Sequence, residues 1–300
     1  MIHFFGRSID VIGRLLNSLI SNKNNIIVNA WIRIRFGRVK HRNWGDELNY
    51  FLLREITGKN VSSFIDLIGY YNRTKYNYLV IGSIIEDFTN SNSIIWGSGA
   101  IAGEKPLKSI PHKVCAVRGK LSRNYLLSQG VECPDIYGDP ALLLPLLYNP
   151  CVNKEYKLGV VPHHTDYNHG IVKLLEKAGA HIISMERYND WHEVIDEINK
   201  CEFILSSSLH GLIVADAYRV PNVWVSIGDN IIGAGFKFKD YFSSVGRGDV
   251  EPLKLSDMDS IDDVLAMSKT YKPIKFNPAP LINAAPWKLN IIYPDYYGQA

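Results

Sequence analysis

The chain has 300 residues, 46% hydrophobic and 21% charged, with a formal net charge of +3. Its length suits two domains of about 120 to 150 residues each, its composition suits a soluble protein with a sizeable core, and its charge is too small to argue for a nucleic-acid partner. No uninterrupted apolar run is long enough to span a bilayer.

Ile9, Ile12, Leu15, Leu16, Leu19 and Ile20 recur at helical spacing. Arg7, Asp10 and Arg14 interrupt the stretch and no small-residue cleavage site follows, so residues 1–24 read as an amphipathic helix rather than a signal sequence. Such a helix covers a domain or rests on a membrane surface. Residues 26–34 are strand-like, with Trp31, Ile32 and Ile34 among basic residues. Asn43 and Gly45 make a turn, and Asp46 is placed to begin and cap a helix carrying Leu48, Phe51, Leu52 and Ile56, closed by Gly58. A carboxylate at such a turn also faces any ligand crevice.

Tyr78 to Ile81 is a buried strand ending in Gly82-Ser83, and Ile94-Ile95-Trp96 ends in Gly97-Ser98-Gly99. Glycine there lets a backbone approach a ligand closely. Neither turn is a dinucleotide fingerprint or a P-loop, so no nucleotide follows from them. Val114 to Val117 is the next strand, and Arg118 at its end needs an anion or a carboxylate partner. A helix from Lys120 to Gln129, then Tyr137-Gly138-Asp139-Pro140 and an apolar run from Ala141 to Leu147, complete the first half, with a boundary at Pro150.

The alternation restarts with the strand Leu158 to Val161, which leads into PHHTDYNHG, a helix over Ile171 to Lys177, a strand over His181 to Ser184, and a helix marked by Trp191, Val194, Ile195 and Ile198. Phe203-Ile204-Leu205 is a strand, and Ser206, Ser207 and Ser208 form a turn into a helix that opens with Leu209, His210 and Gly211 and carries Leu212, Ile213, Ala215 and Ala217. Arg219 falls in its last turn, Pro221 stops it, and Val223-Trp224-Val225 is the next strand. Phe236 to Phe242 and Asp257 to Ser268 read as helical, and a Pro-rich tail from Pro273 packs back over the surface. Strands alternating with helices in both halves predict an α/β protein of two Rossmann-like parallel-sheet domains, 25–150 and 151–272, with 273–300 as the tail.

Hydroxyls, backbone N–H groups and the His210 imidazole at a helix N-terminus make an anion site, and parallel sheets bind ligands at their strands' carboxyl ends. His210 is the leading candidate for chemistry; the alternative is a serine-capped helix with a hydrogen-bonded histidine. Arg118 is the second candidate, a structural ion pair being its alternative. His163, His164, Asp166 and His169 form a cluster, but their spacing matches no standard zinc motif and adjacent histidines on a strand face opposite ways, so they read as cleft lining and no metal is expected. Cys115, Cys133, Cys151 and Cys201 form no CxxC pair and suit reduced thiols in a cytoplasmic protein.

NWGDELN at Asn43–Asn49, IGSI, IWGSGA, VRGKLSRNYL, GDPALLLP and SSSLHGLIVADAYRVP occur in an order that resembles the polysaccharide pyruvyl transferase family, in the branch of the succinoglycan and xanthan ketal-pyruvate transferases. The resemblance runs from about Asn43 to Trp224. It implies a glycosyltransferase-B-like pair of domains facing across a cleft, and transfer of the pyruvyl group of phosphoenolpyruvate to a sugar of a bacterial exopolysaccharide or capsule repeat unit as a cyclic ketal. The family's essential arginine falls on Arg118 and its Leu-His pair on Leu209-His210, with Asp46 a further catalytic candidate. Asn43, Gly45, Gly82, Ser83, Gly97, Ser98, Asp139, His163, His164, Ser207, Ser208, Leu209 and Gly211 are then the expected substrate-binding set. Three glycines common elsewhere in the family are replaced here by Ile81-Gly82-Ser83-Ile84. No cofactor is implied, phosphoenolpyruvate being a co-substrate, and the acceptor implied is a lipid-linked oligosaccharide, which makes the N-terminus a candidate contact at the inner face of the membrane. The rival is a nucleotide-sugar glycosyltransferase on the same fold; a non-catalytic carbohydrate-binding protein is a third option.

Overall fold

The computed structural model describes residues 12–18, 24–40, 43–68, 75–227, 232–255, 265–266, 268 and 271–291. The first half gives β1 (Ile26–Val28), β2 (Ile34–Arg35), β3 (Arg38–Val39), α1 (Trp44–Thr57), β4 (Val61–Ser63), β5 (Asn77–Leu79), α2 (Ile85–Phe88), β6 (Ser93–Trp96), β7 (Lys113–Ala116), α3 (Lys120–Ser128) and a 3₁₀ turn, Pro140–Leu146. The second half gives β8 (Tyr156–Val161), α4 (Gly170–Lys177), β9 (His181–Ile182), α5 (Trp191–Asn199), β10 (Cys201–Ser206), α6 (Leu209–Ala217), β11 (Asn222–Ser226), α7 (Phe236–Ser244), β12 (Leu253–Lys254) and α8 (Ala279–Asn283).

Two five-stranded sheets result, in the orders β4-β1-β5-β6-β7 and β12-β11-β10-β8-β9. Every pairing within them is parallel. The architecture is thus two Rossmann-like α/β units. Each sheet reverses its direction of growth once, between β1 and β5 in the first and between β8 and β10 in the second. Open parallel sheets as a class bind ligands beyond the strand ends at such switch points, which fall here at the ends of β1 and β5 and of β8 and β10.

Helix α1 ties the two units together. Trp44, Leu48, Leu52, Leu53 and Ile56 are fully buried along it, each contributing about 1.5–3 kcal/mol of apolar burial. Its first residue reaches across the junction: the Trp44 amide donates to Met185 O at 2.8 Å and Trp44 Nε1 to Trp191 O at 2.8 Å. The Asn49 side chain bonds both the N–H and the C=O of Ile81 at 3.0 Å, fastening α1 to the turn after β5.

Several expectations shift. The strand from residue 26 stops at Val28, and Ile34 instead opens a hairpin whose turn has Phe36 and Gly37 at positive φ. Edge strand β4 is three residues long and carries too little pattern to be read in advance. Helix α6 ends at Ala217, and Arg219 takes φ 58° rather than completing a turn. The helix expected from Asp257 to Ser268 falls largely outside the described residues. The tail lies against the first unit, with Trp96 Nε1 donating to Leu281 O at 2.9 Å, Trp287 packed on Tyr78 and the Asn290 amide donating to Ile56 O at 2.6 Å. Cys115, Cys133 and Cys201 are buried free thiols and Cys151 is an exposed one.

Candidate active site

At the start of α1, Asn43 Oδ1 accepts from the amides of Gly45 (3.0 Å) and Asp46 (3.4 Å). Asn43, not Asp46, is therefore the cap, and the Asp46 side chain is released from that duty. Glu47 points the other way, accepting from the Asn43 amide at 3.2 Å and from the Tyr188 hydroxyl of the second unit. Asp46 borders the turn after β5: a Cβ on Gly82, which sits at φ 113°, would lie 3.6 Å from Asp46 Oδ1. Burial, reinforced by the Glu47 charge and opposed by Lys237, raises the Asp46 carboxyl to about 7.

In the second unit the switch point is stitched by serines. Ser207 Oγ accepts from the His163 amide at 2.9 Å and donates to Asp166 Oδ2 at 2.7 Å, joining the loops after β8 and β10. Ser206 Oγ donates to Val161 O at 3.0 Å and accepts from the Ser208 amide at 3.1 Å. Ser208 itself makes no side-chain cap bond to α6, so the serines brace the loops instead of capping the helix. Gly211 is required by packing, since a Cβ there would meet Ser206 Oγ at 2.4 Å and Val161 Cγ1 at 2.8 Å. Leu209 is buried beside it.

The two units meet at His210. Gly45 lies directly against the imidazole, and a Cβ at Gly45 would fall 1.9 Å from His210 Nδ1. His210 Nε2 is shielded from water and has no hydrogen-bond partner. An unpaired buried nitrogen is costly unless a ligand completes it. Burial, then the charges of Lys237 and Arg118, lower the ring to about 3, so it is neutral near pH 7. Lys237 is itself lowered to about 8 by burial and by Arg118, with Asp46 and Asp166 pulling the other way. The His163 ring, lowered to about 4 by burial and by Lys237, faces the same cation. A recess of about 40 Å³ is lined by His163, Thr165, Asp166, Ser207, Trp224 and Lys237, among others.

Arg118 is fully buried at the same junction. Its Nε donates to Asp240 Oδ2 (2.9 Å), Nη1 to Ser83 Oγ (2.6 Å) and Nη2 to Ala100 O (2.7 Å). Asp240, on α7, also accepts from the amide (2.7 Å) and hydroxyl (2.6 Å) of Ser122, standing in for a cap at the start of α3. Arg118 thus has a carboxylate partner of its own and acts on His210 and Lys237 through its field.

The expected set does not all converge. Asn43, Gly45, Asp46, Gly82, Ser83, Arg118, His163, Ser207 and His210 gather at the junction. Gly97 is packed under Pro140, where a Cβ would meet Pro140 Cδ at 2.3 Å, and Ser98 is fully buried with its hydroxyl unpaired. Asp139 is buried, with one oxygen accepting from the Ala141 amide at 3.0 Å and the other unpaired; burial raises it to about 6. His164 is exposed, and its ring lies 4.1 Å from that of His163, tilted 40° to it, instead of facing away, because both follow the end of β8. Among the described residues no three His, Cys, Asp or Glu side chains are grouped to hold a metal ion. Lys237 and Asp240 escaped the sequence reading: they lie in FKFKDYF, whose alternation of Lys and Phe gives no sign of which lysine turns inward, while Lys239 pairs outward with Glu251.

Two parallel five-stranded sheets, with a buried imidazole nitrogen left unpaired and two cations at their junction, define an α/β protein of two Rossmann-like units. The particular family follows from comparison: a family model described as polysaccharide pyruvyl transferase matches residues 10–230, and the chain belongs to that family. It is 28% identical over 215 residues to the uncharacterized protein L143 of Acanthamoeba polyphaga mimivirus, covering 69% of this chain and 72% of that protein. It is also 28% identical over 221 residues to the succinoglycan biosynthesis protein ExoV of Rhizobium meliloti (strain 1021), covering 69% of this chain and 63% of that one. No solved structure matches the chain significantly.

Proposed function

We propose that this transferase moves the pyruvyl group of phosphoenolpyruvate onto two hydroxyls of an exopolysaccharide or capsule sugar, forming a cyclic ketal and releasing phosphate. The observation that carries the reading is the buried, unpaired Nε2 of His210 beside Lys237, Arg118 and a protonatable Asp46. Phosphoenolpyruvate brings a phosphate and a carboxylate, which two cations and the first turn of α6 suit. In the first step Asp46 gives its proton to the enol methylene carbon, and C2 takes on oxocarbenium character. A sugar hydroxyl adds to C2 as His210 Nε2 takes its proton. The C2–O bond to phosphate then breaks, with the His210 proton leaving on the phosphate. The second hydroxyl adds to C2 and returns a proton to Asp46, so both groups end as they began. Lys237 and Arg118 stabilise negative charge on the leaving group.

The test is to incubate the protein with phosphoenolpyruvate, a nucleotide sugar and extracted glycolipids, following phosphate release and product mass. A glycolipid heavier by one pyruvylidene group, formed with equimolar phosphate, is the expected result. Addition of a hexose from a nucleotide sugar, with phosphoenolpyruvate untouched, would replace this reading by the glycosyltransferase one.

A further inference from the structure

The helical segment 12–18 is docked the wrong way round for a helix that covers a core. Its polar residues face the protein: Asn17 Nδ2 donates to Ile34 O (3.3 Å) and Asp66 O (3.2 Å), Asn17 Oδ1 accepts from the Phe36 amide (3.1 Å), and Ser18 Oγ accepts from the Ile68 amide (2.8 Å). Asn17 and Ser18 are each 6% exposed, while Ile12 is 56%, Leu15 46% and Leu16 47% exposed. Spacing of three and four places those three side chains on one stripe of the helix. Phe36, at the tip of the hairpin the helix is bonded to, is 53% exposed as well. A contiguous apolar stripe turned outward marks an interaction surface.

The charges around it say what kind. The hairpin carries Arg33, Arg35, Arg38 and Lys40, the last two exposed, and Arg54 adjoins its tip through Tyr50, whose hydroxyl accepts from Arg54 (2.6 Å) and donates to Gly37 O (2.7 Å). Arg33 and Arg35 share the buried Asp66 carboxylate, so cations exceed the acid they face. Apolar side chains flanked by cations match a surface that is apolar inside and anionic at its rim.

We propose that this face docks the protein on an anionic lipid surface, with Ile12, Leu15, Leu16 and Phe36 inserted at the headgroup level and Arg38 and Lys40 against the headgroups. The inference does not rest on the proposed reaction. Full-length protein should co-sediment with vesicles of equal parts phosphatidylcholine and phosphatidylglycerol, less with pure phosphatidylcholine, and less as salt is raised. Leu15→Ser with Leu16→Ser should lower the partition coefficient by about tenfold or more. Arg38→Gln should lower it about fivefold. Thermal unfolding of each variant should match wild type, because the altered side chains are exposed. Equal binding to neutral and anionic vesicles, or serine variants that bind like wild type, would overturn the proposal. So would sedimentation equilibrium showing a wild-type dimer that the serine variants lose, since the stripe would then be covered by a second copy.

Discussion

Gly45 and His210 are separated by 165 positions in the chain, yet the first has no side chain because the second occupies its space: a Cβ at Gly45 would overlap His210 Nδ1 at 1.9 Å. The start of α1 and the start of α6 are therefore fitted together around one imidazole. Gly45→Ala should push that ring out of place and lower turnover about 100-fold, the scale on which an ångström of misplacement acts. Phosphate release from phosphoenolpyruvate in the presence of acceptor measures it; an alanine variant with wild-type turnover would show that the contact does not position His210.

Arg118 and Asp240 form a pair with both side chains fully buried. Removing one partner strands the other charge, at a cost of about 3–5 kcal/mol. Asp240→Ala should accordingly lower stability by that amount in urea unfolding, and Arg118→Lys should also be impaired because an ammonium cannot reach Asp240, Ser83 and Ala100 O together. Asp240→Asn keeps a bond to Nε and should be milder. If Asp240→Ala unfolds like wild type, the pair is not what joins α7 to the first unit.

Much of this was legible because periodicity and punctuation mark parallel α/β units: the long strands β8 and β10, helices α1 and α6, and the Gly-Ser turns all announce themselves. Arg118 stands out as a charge closing an apolar strand, and His210 as an imidazole opening a helix after a serine turn. What could not be read is pairing across the junction. Nothing local ties Asp240 to Arg118, 122 residues away, or says that Asn43 takes the cap and frees Asp46. Lys237 is hidden for the same reason, its significance residing wholly in neighbours from other elements. Gly97 and Asp139 show the converse, since a strand-end glycine or carboxylate looks the same whether it faces a ligand or a proline.

His210 makes acid stability a probe of the site. Its folded pKa of about 3 lies below the 6.5 of the free ring, so the unfolded chain binds the extra proton in between. The stability this represents is fully present above pH 6.5 and is lost as pH falls toward 3, on the order of 5 kcal/mol. Asp46 has the opposite sign: raised from 3.8 to about 7, its contribution is complete below 3.8 and lost as pH rises through 7. His210→Gln isolates the first effect, and the slope of unfolding free energy against pH between 3 and 6.5 should fall by about 1.4 kcal/mol per pH unit. The same variant should be inactive but folded. An unchanged slope would mean that the ring is not held neutral.

The pH profile of turnover should carry the signature of Asp46. If its protonated form supplies the proton to the methylene carbon, kcat/KM for phosphoenolpyruvate falls as pH rises past about 7, and Asp46→Asn loses about 100-fold or more at all pH values. Lys237 holds the Asp46 pKa down, so Lys237→Gln should shift that alkaline limb upward while also raising KM, because one cation of the proposed phosphate site is gone. The two effects separate a charge acting on Asp46 from a role in packing alone, since lost packing would lower the rate without moving the limb. Profiles of wild type and Lys237→Gln that bend at the same pH would remove Asp46 as the donor, Lys237 as its regulator, or both; Asp46→Asn, bending or not, then decides which.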